Sequence, residues 1–171
     1  MAVTTDSEKP ADEKYSKILK LIIEEPTNYN KIMVTAASGG HMDIVKLMLE
    51  KGATHYNLAM SSAAAGGHMA IVKLMLEKGA NTYNWAMSFA ANRGHMDIVK
   101  LMLEKGANDY NSAMSSAASG GQIDIVKLLQ EHQKNQKVEC SNNAEINLLK
   151  KEIESLKFKL NKIQEIIMRM H

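Results

Sequence analysis

One phrase of fifteen residues occurs three times almost unchanged, and nothing else in the chain limits its fold as strongly. GGHMDIVKLMLEKGA at 39–53 reappears as GGHMAIVKLMLEKGA at 66–80 and RGHMDIVKLMLEKGA at 93–107, then degraded as GGQIDIVKLLQEHQK at 120–134. The period is 27 residues, and the four units begin at Tyr29, Tyr56, Tyr83 and Tyr110, each followed by Asn. Upstream, ILKLIIEEP at 18–26 reads like IVKLMLEKG, so the array is expected from about residue 12 to about residue 136. Such a period marks stacked units, each too small to bury its apolar face alone.

Each unit reads as two helices. In the second unit the first helix is expected to open at Asn57, a good N-cap. It runs through LAMSSAAA to Gly66-Gly67, where glycine turns the chain through positive φ. MAIVKLMLEK is the second helix, ended by Gly79. At 100° per residue, Ala59, Met60, Ala63 and Ala64 form one stripe, the expected buried face of the first helix. The second helix is apolar around most of its circumference (Met69, Ile71, Val72, Leu74, Met75, Leu76), which predicts burial between neighbours. Aromatics are only 5% of the chain and prolines two, against an all-β design, so Ala, Leu, Ile, Val and the 13 Met must make the core.

Gly-His-x-Asp-Ile-Val-Lys-Leu-x-Leu-Glu-x-Gly-Ala resembles the second half of an ankyrin repeat. The Met-rich wording, with YNxAM opening each unit, resembles the ankyrin proteins of giant DNA viruses. The resemblance spans about residues 12–136 and implies an all-α solenoid that binds proteins. The units are six residues shorter than the usual repeat of about 33, and Asn-x-Ala-Met replaces the Thr-Pro-Leu-His start. The missing residues belong to the projecting β-hairpin, so recognition is expected to fall to helical faces and short loops. The expected organisation is a disordered stretch at 1–11, a capping helix at 12–28, repeats at 29–55, 56–82, 83–109 and 110–136, a linker at 137–143 and a coiled coil at 144–171.

The tail follows a different rule. Ile146, Leu149, Ile153, Leu156, Leu160, Ile163, Ile167 and Met170 are spaced 3, 4, 3, 4, 3, 4, 3, a strict heptad pattern. Ile then Leu favours two parallel strands, and the Leu160/Ile163 reversal weakens that preference. Glu145 and Glu152 sit where they pair with Lys150 and Lys157 of a parallel partner. Such exposed pairs add about 0.2–1 kcal/mol each, enough to choose orientation rather than to supply strength. A homodimer through 144–171 is expected; the competing reading is a helix folded back over Leu128 and Leu129 of the fourth unit.

Net charge is +2, and the tail from Ala144 onward, with six Lys/Arg against four Glu, holds all of it. A balanced body offers no clustered basic face for nucleic acid. No run approaches the ~20 apolar residues of a membrane helix. Acids at Asp6, Glu8, Asp12 and Glu13 precede the short apolar run at 18–23, which reads as neither signal nor transit peptide. One cysteine, Cys140, makes no internal disulfide, which fits an intracellular, cytoplasmic protein.

Catalytic chemistry would need residues that escape the repeat. His41, His68 and His95 recur with it. Packed helices lie ~8–10 Å apart, too far for ligands ~2 Å from one zinc, so these histidines read as turn residues satisfying backbone groups. Gly-Gly-His is likewise punctuation rather than a phosphate cradle, and no catalytic, cofactor or metal site is expected. The Met at unit position 5 (Met33, Met60, Met87, Met114) reads as core filler. Variation instead concentrates at unit positions 3, 6, 7 and 10, all opposite the Ala/Met stripe. The third unit places Trp85, Phe89 and Arg93 there and a turn beyond, with Leu58, Ser62, Ser112 and Ser116 on its neighbours. Exposed Trp with an aromatic and an Arg is the composition of a binding hot spot; local packing of Trp85 and Phe89 is the competing reading. A protein-binding adaptor is expected, with a structural or assembly protein, viral in kind, as the alternative.

Overall fold

A computed structural model describes residues 28–169. The first helices of the units are α1 (Tyr29–Gly39), α3 (Tyr56–Gly66), α5 (Tyr83–Arg93) and α7 (Tyr110–Ser119). Their second helices are α2 (Met42–Glu50), α4 (Met69–Glu77), α6 (Met96–Glu104) and α8 (Ile123–Arg169). No strand occurs among the described residues, and the stacked pairs make a helical solenoid. Its body ends at Leu129, and the tail begins at Gln130. The expected disordered start at 1–11 and all but the last residue of the expected cap at 12–28 lie outside the described residues.

The Ala/Met stripe forms the core. Ala59, Met60, Ala63 and Ala64 are fully buried, as are Ala86, Met87, Ala90 and Ala91 one unit on. Alanine lets the first helices approach closely, and each packs extensively on the next. The second helices touch one another far less. Only Ile71, Val72 and Met75 of α4 are buried, while Met69, Leu74 and Leu76 are half-buried and Leu47 of α2 is exposed. The expectation of burial all round is corrected: longer side chains hold the outer row apart, and its far side stays wet.

The first helix of the second unit opens two residues earlier than expected. His55, not Asn57, is the N-cap of α3, and Asn57 lies in its first turn. The Asn57 side chain instead accepts from the backbone N–H of Asn81 at 2.8 Å and of Thr82 at 3.4 Å. Asn30 does the same for Thr54 and His55, and Asn84 for Asn108 and Asp109. The asparagine after each of these tyrosines therefore fastens the loop that leads into the next unit, satisfying amides no helix ladder reaches.

Gly-Gly-His works across the same joint. Gly67 takes φ +76°, and a Cβ there would lie 2.5 Å from the His95 ring of the following unit. Positive φ and that close approach both demand glycine. The His95 Nε2–H donates to the Ala65 carbonyl at 3.2 Å, and His68 to Ser38 at 3.1 Å. These histidines satisfy backbone groups as expected, but of the preceding unit rather than of their own turn. In the fourth unit Gln122 donates to Gly120 of its own turn at 2.9 Å.

The fourth unit departs from the others. Ala118 is exposed and Met114 half-buried, because no fifth first helix follows. Its second helix does not stop. No Gly or Pro interrupts residues 123–169, and α8 runs for 47 residues. The stretch read as a linker, 137–143, is helical and unbroken, and the helix is longer than the heptads alone implied. Leu129 is fully buried and Leu128 half-buried.

Candidate protein-binding groove

Unit positions 3 and 7 lie one turn apart on the first helices, so equivalent residues of successive units form rows across the body. Position 3 gives Leu58, Trp85 and Ser112; position 7 gives Ser62, Phe89 and Ser116. All six line one groove of ≈ 800 Å³. Trp85 is 64% exposed and Phe89 50%, so neither is consumed by local packing. The small hydroxyl residues around them leave room for an incoming side chain.

The structure departs from the expected outward face in two places. Arg93, in the last turn of α5, is exposed but is not among the residues lining the groove. Ser61, at position 6, is 5% exposed and forms part of the groove wall, its hydroxyl without a hydrogen-bond partner. Burial at position 6 is particular to this unit: Ser88 is half-buried there and Ser115 exposed.

Asp109 belongs to the groove and was not singled out from sequence. Its Oδ1 caps α7, accepting the Ser112 N–H at 3.1 Å. Hydrogen bonds from the Ser112 side chain and backbone hold its carboxyl below the usual carboxylate value, against a smaller opposing effect of burial. The signal lay in the unit-end position, where His55 and Thr82 give way to Asp. Asn84 and Asn92 also line the groove, and both are committed to joints. Asn92 donates to the Ser116 carbonyl at 3.0 Å.

Elsewhere, Cys140 is exposed. Among the described residues no group of three or more His, Cys, Asp or Glu is placed to hold a metal ion. None of their helices is long and apolar enough to cross a membrane. On the tail, Ile146, Leu149, Ile153, Leu156, Leu160, Ile163 and Ile167 are each 46–59% exposed; Met170 lies outside the described residues.

No curated protein matches the chain significantly. The family model for ankyrin repeats (3 copies) matches it twice, over residues 11–84 and 61–142. Those spans hold the units whose joints and groove are described above, and ankyrin repeats are a protein–protein interaction module. With most of its length matched, the chain belongs to the ankyrin-repeat family.

Proposed function

We propose that the chain is a non-enzymatic intracellular adaptor, acting in the cytoplasm without cofactor or metal. Its groove holds a protein partner, and its tail joins two copies. The carrying observation is the exposure of Trp85 and Phe89 together in a groove on a scaffold otherwise repeated almost letter for letter. Pull-down from the native host with wild type and with Trp85→Ala/Phe89→Ala, read by mass spectrometry, tests it. A partner recovered only by wild type supports the reading; identical recovery by both removes the groove from it. Arg93 enters as a rim contact for the same partner.

The homodimer rests on the heptad stripe and on charge. Paired parallel, Glu145 and Glu152 of each copy face Lys150 and Lys157 of the other. Paired antiparallel about the centre of the stripe, Lys157 faces its own copy. Sedimentation of the chain with and without residues 144–171 should show a mass that halves on truncation. A second reading, a structural assembly protein of viral kind, draws on the same exposed stripe. Large tail-dependent homo-oligomers would favour it over the adaptor.

A further inference from the structure

The groove's single charge says what kind of segment it takes. Among the described residues lining it, Asp109 alone is charged; the rest are serines, asparagines, an alanine and the apolar Leu58, Trp85 and Phe89. Asp109 is tied to the tryptophan through the backbone. The Asn84 side chain accepts the Asp109 N–H at 3.0 Å and the Asn108 N–H at 2.8 Å, and Asn84 directly precedes Trp85. The backbone positions that carry the carboxylate and the indole therefore meet at one joint. A carboxylate accepts up to about four hydrogen bonds, so capping α7 leaves capacity for another donor.

An indole face and a carboxylate attract the same thing. The ring's quadrupole favours a cation over its face, and the carboxylate favours it again. An acidic segment or a phosphate backbone would meet repulsion from the groove's only charge. A purely apolar segment would cover that carboxylate while offering no donor for the acceptor capacity that Ser112 leaves open. Leu58, one unit back in the same row as Trp85, and Phe89, one turn along α5, supply apolar surface beside the indole.

Resting on the adaptor reading, we propose that the groove's occupant is a polypeptide segment carrying a Lys or Arg beside a large apolar residue. The cation sits between the Trp85 indole and the Asp109 carboxylate, and the apolar side chain lies against Leu58 and Phe89. The probe is a random dodecapeptide library displayed on phage and panned against the full chain. Enriched peptides are then measured on wild type, Trp85→Ala, Asp109→Asn and Asp109→Lys. Asn keeps the N-cap while removing the charge, and circular dichroism checks that each variant stays helical. Enriched peptides are expected to pair Lys or Arg with a large apolar residue. They should weaken by about 30-fold on Trp85→Ala, as a hot-spot anchor does, and by about fivefold on Asp109→Asn, a partly screened charge pair. Asp109→Lys should select acidic peptides in place of basic ones. Peptides that lose binding on Trp85→Ala but carry no basic residue and ignore Asp109→Asn overturn this proposal and leave the adaptor groove standing. No enrichment, or peptides indifferent to Trp85→Ala, overturns both.

Discussion

Ile98 and Ile153 are the same residue on helices of the same chain; one is fully buried and the other half in solvent. Ile98 sits in the repeat body, where each unit presents an apolar stripe and the next unit returns a matching one. Ile153 sits in the tail, where the stripe recurs every heptad along one helix and faces outward. The body also carries polar fastenings between units, Asn57 to the loop at 81–82 and His95 to Ala65. In the tail, the ion pair of Lys157 with Glu154 at 2.9 Å stays within one turn of helix. Translation by 27 residues brings a complementary surface within the same chain, whereas translation by seven along a helix only extends the same side. A body of the first kind completes its own core; the heptad stripe leaves its apolar side chains half in solvent.

The widest expected gap between the regions comes from truncating the body core. Met87→Ala removes a fully buried side chain from between two first helices and should destabilise the body by about 2–5 kcal/mol, read as a shift in the urea midpoint. Ile153→Asp should leave that midpoint in place but abolish association, giving a monomer mass by sedimentation at concentrations where wild type is larger. A body that melts earlier with Ile153→Asp would break the distinction. Asn57→Ala leaves two backbone N–H groups of the next joint without their acceptor and should cost about 1 kcal/mol, with faster amide exchange at Asn81 and Thr82. Trp85→Ala, at an exposed position, should change body stability by no more than about 0.5 kcal/mol. A larger loss would make the tryptophan a packing residue rather than a contact.

The smallest effect concerns pH. The Asp109 carboxyl titrates lower folded than unfolded, so its stabilisation is complete above the ordinary carboxylate value of about 3.9 and disappears as pH falls through the lower folded value. Asp109→Asn should flatten that part of the acid limb of the urea midpoint and leave the neutral region little changed.

Much was legible because repetition is itself information. The phrase at 39–53 located the helix pairs, and its alanines located the core. The outward position of Leu58, Trp85 and Phe89 followed from helical geometry alone. Three features were not legible, each because it joins residues of different units. Asn57 has the chemistry of an N-cap, and only the neighbouring loop at 81–82 shows that its acceptor is used elsewhere. Asp109 looks like an ordinary cap until its loop is seen fastened to Asn84. Ser61 and Ser88 share unit position 6, yet Ser61 is buried while Ser88 is half-buried, a difference that the repeat position alone does not encode.

By itself, then, the sequence determined the period, the all-helical class, the core stripe and the heptad spacing of the tail's apolar residues, since each is a periodicity read along one helix or one repeat. Tertiary structure alone decided which polar groups hold the joints, that the outer helices stay half-wet, and that Asp109 shares a groove with Trp85. Those depend on distances between residues about 24–30 apart in sequence, and such distances exist only after one unit has settled on the next.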